Sequence, residues 1–217
     1  MVKSMNMFLT ELVTNPVAAV FFLVSIILAV DVHEFCHAKA ADMLGDPTPE
    51  SMGRLTLNPL AHLDPLGSLL FLFIGFGWGK PVPFDPYNLE NPRRDAGIIA
   101  CAGPASNFVM AIAAALLLAV SPVPLLDIFL STFIWINIVL GIFNLLPISP
   151  LDGFKIFGGI LPEEQADQWY SLERYGMIFL LFFIFPFVGG RSMLEVLISP
   201  VIRFLVSLLI PQPATLF

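Results

Sequence analysis

The sequence predicts an all-α polytopic membrane protein, and three observations carry that reading. Of its 217 residues, 57% are hydrophobic and only 12% are charged, about half the charged fraction of an ordinary soluble domain. The mean hydropathy is +0.86. Stretches such as Val17–Val30 and Gly97–Val120 have almost no polar side chains, so their main solvent is a lipid bilayer.

The first apolar run, Val17–Val30, continues with helical spacing through His33 and His37 to about Ala41. At about 1.5 Å per residue it is long enough to cross a bilayer, with the histidines near its C-terminal end. Residues 42–65 are polar and Pro-rich, punctuated by Gly45 and Gly53, which predicts an extra-membrane loop with a short strand over Gly53–Leu57. Leu66–Trp78 is strongly apolar but only about 13 residues long. It runs through Gly75, Gly77 and Gly79 into Lys80-Pro81-Val82-Pro83, the pattern of a re-entrant or interfacial segment. Gly97–Val120 and Asp127–Leu146 predict two antiparallel spanning helices around the Ser121-Pro122-Val123-Pro124 turn. After an acidic connector at 162–174, Gly176–Val188 and Met193–Ile210 predict two C-terminal membrane segments. The expectation is one membrane domain over 1–217, with a three-helix core at about 17–155 and C-terminal segments at about 175–210.

The formal charge of −7 comes with no Lys/Arg cluster, which argues against nucleic acid and against a basic patch for anionic lipid. Cys36 and Cys101 lack the spacing of a disulfide framework. Residues 1–14 lack a basic start, apolar core and small-residue cleavage site, so no cleavable signal peptide is expected.

His33-Glu34-Phe35-Cys36-His37 matches H-E-x-x-H. Histidines at i and i+4 project from one helical face toward a single ion, the spacing of a zinc site. Glu34 flanks that ion without being required as a ligand, and is placed to take a proton from an activated water. Ionisable groups at the end of an apolar helix are costly unless paired or metal-bound. A catalytic zinc has three protein ligands and an open position, so one more ligand is needed. Asp152, after the proline-interrupted stretch Asn144–Gly153, is the leading candidate, and a capping role in an Asp-Gly turn is the alternative. His62 and Asp64 are rivals for which a turn or cap role is expected. Cys36 is assigned to packing. Asn144 and Asn107 are polar residues in apolar helices, each suited either to function or to an interhelical bond.

Together, His33-Glu34-x-x-His37-Ala38, Leu44-Gly45-Asp46-Pro47-Thr48, Gly77-Trp78-Gly79-Lys80-Pro81-Val82-Pro83, Ala102-Gly103-Pro104 and Pro150-Leu151-Asp152-Gly153 occur in an order that resembles the site-2 protease family of intramembrane zinc metalloproteases (peptidase family M50), in a minimal form without an inserted peptide-binding domain. The resemblance implies one zinc ion per chain with Asp152 as third ligand, Glu34 as general base, and Asn144 acting on the oxyanion or the substrate backbone. It also implies membrane-spanning protein substrates, a lipid bilayer around the chain, and an active site toward the cytosol. Asp31 stands where an apolar or small hydroxylated residue is expected from that family. A metal transporter or channel and an inactive scaffold of the same family are the alternatives. The sequence specifies neither substrate identity nor oligomeric state.

If the histidines and Asp152 meet at one depth, residues 42–96 cross the membrane an even number of times, in keeping with a re-entrant Leu66–Trp78. Glycines and free strand edges around Gly77–Pro83 then suit an extended substrate bound by strand addition.

Overall fold

A computed structural model describes residues 13–74, 77–185 and 192–210. Residues 1–12, 75–76, 186–191 and 211–217, on which parts of the sequence reading fall, lie outside the described residues. In chain order the helices are α1 (Pro16–Met43), α2 (Thr48–Ser51), α3 (Pro59–His62), α4 (Pro65–Ile74), α5 (Pro92–Val120), α6 (Pro124–Asn144), α7 (Asp152–Ile160), α8 (Glu163–Tyr170), α9 (Gly176–Ile184) and α10 (Met193–Leu209). The protein is an all-α membrane protein. Among the described residues, three helices, α1, α5 and α6, are long and apolar enough to cross a bilayer, at 28, 29 and 21 residues.

These three pack into the bundle that positions the site. Helix α1 starts where Pro16 fills the first turn and the Asn15 side chain accepts from the Ala18 N–H at 3.2 Å. It ends before Gly45, whose φ of 97° is a left-handed conformation that L side chains avoid. Its buried face includes Ser25, Ala29, His33, His37 and Ala41, one residue every four. Small residues on that stripe let neighbouring backbones come close, as in helix pairs packed within lipid. Helix α5 answers with Ala96, Ala100, Gly103, Asn107, Ala111 and Ala114, and α6 with Leu130, Ile134, Asn137, Ile138 and Gly141.

The bundle is apolar at one end and polar at the other. Ala111, Ala114, Leu130, Ile134, Ile138 and Ile142 form a buried core joined by Leu194 and Ile198 of α10. The outward faces remain apolar, with Val20, Val109, Ile112, Leu116 and Leu125 at least half exposed, as a lipid-facing surface requires.

The C-terminal membrane segments are helices of 9 and 17 residues, both shorter than the roughly 20 residues a spanning helix needs. The short strand expected at Gly53–Leu57 is absent: that stretch is a turn and bend. Within it the Arg54 side chain turns inward and is buried. Among the described residues, the local β pairing lies elsewhere, as an antiparallel bridge between Leu63 and Gly79. The chain that leaves at Leu63 through the 10-residue α4 therefore returns beside its point of departure.

Asp46 ties the loop after α1 to the segment before α5. It is fully buried and accepts from the Thr48 N–H (3.1 Å) and hydroxyl (2.6 Å), the Asp85 N–H (2.7 Å) and the Asn88 amide (2.8 Å). Burial opposes its charge, but these donors outweigh burial and hold its carboxyl below the ordinary range. A depressed folded-state value means stability that is present above the unfolded value of about 3.9 and is lost as pH falls through the folded one. Amide exchange at Thr48 and Asp85 is therefore expected to gain an extra acid-driven acceleration below about pH 4, and Asp46→Asn to abolish that extra component.

Candidate metal centre

The two histidines of α1 face α5, and each ring is oriented by its Nδ1. His37 Nδ1 lies 2.7 Å from the Ile99 carbonyl. A carbonyl only accepts, so Nδ1 carries the proton and Nε2 presents a lone pair. His33 Nδ1 lies 2.7 Å from Asn107 Oδ1. The Asn107 amide is fixed the other way round by its Nδ2, which donates to the Ala29 carbonyl at 3.3 Å and to Asn137 Oδ1 at 2.9 Å. His33 Nδ1 is thus also the protonated nitrogen, and both Nε2 atoms point inward unprotonated.

The third group enters from α7. Asp152 opens that helix, where a carboxylate complements the helix dipole. The Gly153 backbone presses on the loop that precedes it, and a Cβ there would meet the Leu145 and Leu146 carbonyl oxygens at 2.3 Å. Asp152 Oδ2 comes within 3.1 Å of His33 Nε2 and 3.3 Å of His37 Nε2, and the two Nε2 atoms are 3.0 Å apart.

With the imidazoles neutral, three acceptor atoms converge here, and a metal ion between them would satisfy all three. An ion bound tetrahedrally at about 2.1 Å needs ligand atoms about 3.4 Å apart, a few tenths of an ångström more than these three show. Among the described residues, His33, His37 and Asp152 form a cluster able to hold a metal. Space is kept open by Gly103 of α5, where a Cβ would lie 2.4 Å from His37 Nε2 and 2.6 Å from His33 Nε2.

Glu34 is half-buried beside the cluster and accepts from the Val82 N–H at 3.2 Å. The rival ligands are otherwise engaged. His62 is buried, with Nε2 2.9 Å from the Thr56 carbonyl and 3.6 Å from Asp31 Oδ1. Asp31, unexplained by sequence, is thus the buried counter-group of His62. Asp64 accepts from the Gly67 N–H at 2.7 Å at the start of α4, a cap. Cys36 is a free, half-buried thiol. Asn144 donates to the Leu140 carbonyl one turn back, at 3.0 Å.

With this geometry in place, the comparisons with known proteins agree. The chain is 37% identical over 177 residues to the Bacillus subtilis protein named "Putative zinc metalloprotease YwhC", covering 76% of this chain and 81% of that one. The chain belongs to peptidase family M50, the site-2 protease family. The profile of peptidase family M50 matches residues 125–185. Two proteins named "Putative zinc metalloprotease Rip2" are also similar. The one from Mycolicibacterium smegmatis is 34% identical over 66% of this chain, and the one from Mycobacterium tuberculosis is 30% identical over 73%. The chain spans 60% and 64% of those two relatives. No solved structure matches. Family and donor set together make zinc the cofactor of this M50 metalloprotease.

The residues that sequence reasoning left out or ranked low are those that hold the ligands. Asn107 orients His33, and Asn137, which was not singled out, continues the chain of bonds to the Phe133 carbonyl at 2.9 Å. The available signal was Asn137 alone in the apolar run Ile134–Leu140, seven residues before Asn144 and on the same helical face. Asn107→Ala is expected to weaken zinc binding about 10–100-fold, the usual effect of losing a ligand's outer partner, as measured by competition with a chelator. Gly103→Ala improves helix propensity by about 1 kcal/mol yet places a methyl against both Nε2 atoms, so purified protein is expected to fold without zinc, as metal analysis beside circular dichroism would show.

Proposed function

We propose that this M50 metalloprotease is an intramembrane zinc endopeptidase that cuts a membrane-spanning protein substrate, the reaction of regulated intramembrane proteolysis. The observation that carries the reading is the convergence of Asp152 Oδ2 on His33 Nε2 and His37 Nε2 of a helix long enough to span, with Glu34 next in sequence to His33. His33 lies ten residues before the end of α1, about 15 Å along the axis, which supports chemistry below the membrane surface.

His33, His37 and Asp152 would hold one zinc ion per chain. Bound there, zinc supplies a Lewis acid that polarises a peptide carbonyl and brings the ionisation of water near neutral pH. Glu34 takes the proton from the attacking water and delivers it to the departing amide nitrogen. The neutral imidazoles, fixed by Asn107 and the Ile99 carbonyl, keep their lone pairs on the site throughout. Asn144, eight residues before Asp152 at the end of α6, contacts the substrate backbone or the developing oxyanion. The 64–78 excursion is re-entrant, a reading supported by the pairing of its two ends, and it brings Gly77–Pro83 to the site as a surface for an extended peptide. The catalytic end of the bundle faces the cytosol, and the chain forms one membrane domain.

A transporter would need liganding carboxylates along a path through the bilayer. Here the buried Asp31 is already paired with His62. Glu34→Gln is expected to keep zinc near one per chain and to lower cleavage of a single-span substrate in detergent by about 10²–10⁴-fold. Asp152→Ala is expected to lose both zinc and activity. Zinc retention without Glu34-dependent cleavage would overturn the protease reading.

A further inference from the structure

Arg54 is a buried cation that the catalytic scheme does not use. It is 4% exposed, and among the described residues no carboxylate lies within ion-pair distance of it. Its guanidinium donates instead to three carbonyl oxygens, those of Ala61, Lys80 and Pro81, the last at 3.0 Å. A forked donor of fixed geometry is suited to gripping several acceptors at once, which a lysine ammonium does poorly. Two of those carbonyls belong to the ribbon that follows Gly79, and the third to α3, on which the ribbon leans through the Lys80 N–H and the His62 carbonyl at 2.7 Å. The nearby charge that acts on Arg54 is Glu34.

The hydrogen-bond inventory of the ribbon is short. Pro81 and Pro83 have no N–H. The Lys80 N–H is taken by His62, and the Val82 N–H by the Glu34 carboxylate at 3.2 Å. The Lys80 and Pro81 carbonyls are taken by Arg54. Between Lys80 and Pro83, the one donor facing the catalytic side is thus the Val82 N–H, and it rests on the group that must serve as base.

We propose that Arg54 is a positioning residue for substrate: it fixes the Lys80–Val82 ribbon against α3 so that the Val82 N–H is held at Glu34, from which an arriving extended peptide takes it over. Docking of the peptide and release of the Glu34 carboxylate are then one event, and the Arg54 clamp keeps the ribbon in register while the donor changes partner. The inference rests on the protease reading of the same site.

The test uses Arg54→Gln and Arg54→Lys in the full chain in detergent, with three readouts: zinc content, hydrogen exchange over residues 77–83, and separate KM and kcat values for a single-span substrate. Zinc is expected to stay near one per chain, because Arg54 touches no ligand. Exchange at Lys80 and Val82 is expected to rise by about tenfold or more while α1 stays protected. KM is expected to rise by about tenfold with kcat changed far less, and Arg54→Lys is expected to recover part of both effects. Unchanged exchange and KM would overturn the proposal. So would loss of zinc or failure of both variants to accumulate, which would make Arg54 a general folding residue. If the native chain cleaves nothing while exchange responds as expected, the protease reading fails and the Arg54 clamp on the ribbon stands.

Discussion

Two imidazole lone pairs and a carboxylate oxygen are held within 3.3 Å of one another inside a helical bundle, and the rest of the structure depends on that opposition. Acceptors forced together in a low-dielectric interior repel strongly unless a cation lies between them. Packing must hold them while they wait for it. The stripe of small residues on α1 and its counterpart on α5 bring the backbones close enough. The fully buried Asn107 and Asn137 lock the ring of His33 through bonds that span three helices. Gly103 is the compromise between these demands, since the helices touch there and a methyl group would occupy the ion's place.

Polar and apolar halves of the bundle divide the labour. Toward α10 the contacts are aliphatic and contribute stability without specifying chemistry. Toward the loops, beside a small apolar cluster of Ala41, Leu89 and Ile99, lie the buried polar groups Asp46, Arg54, His62 and Asn107, each with hydrogen bonds to its surroundings. Buried polar groups are tolerated when each finds a partner, and here the partners are mostly backbone groups of irregular segments. The loops are thereby ordered by side chains, without a sheet among the described residues.

The three long helices were legible because apolar length is a one-dimensional property, and α1, α5 and α6 each begin and end within a few residues of where prolines and polar turns predict. The H-E-x-x-H spacing was legible for the same reason, since both ligands lie on one face of one helix. Asp152 needed the family resemblance, because nothing in the local sequence says which distant turn meets α1. His62 with Asp31, and Arg54 with its carbonyls, were illegible for a sharper reason. Each partnership joins a side chain to a group far along the chain or to backbone, and a carbonyl oxygen has no letter in the sequence. The same blindness left Asn107 ranked low, since its neighbours were visible only once α1 and α5 were packed.

Two of the three candidate ligands are four residues apart on a stiff helix, and the third comes more than a hundred residues later. An ion that joins them closes a loop containing most of the bundle, much as a covalent cross-link would. Closing so long a loop removes entropy mainly from the unfolded chain. Part of the metal's affinity is therefore the cohesion of the helices seen from the other side of a thermodynamic cycle. A change that loosens α7, such as the loss of the Trp169 indole bond to the Phe154 carbonyl at 2.9 Å, is felt at the metal although it touches none of the ligands.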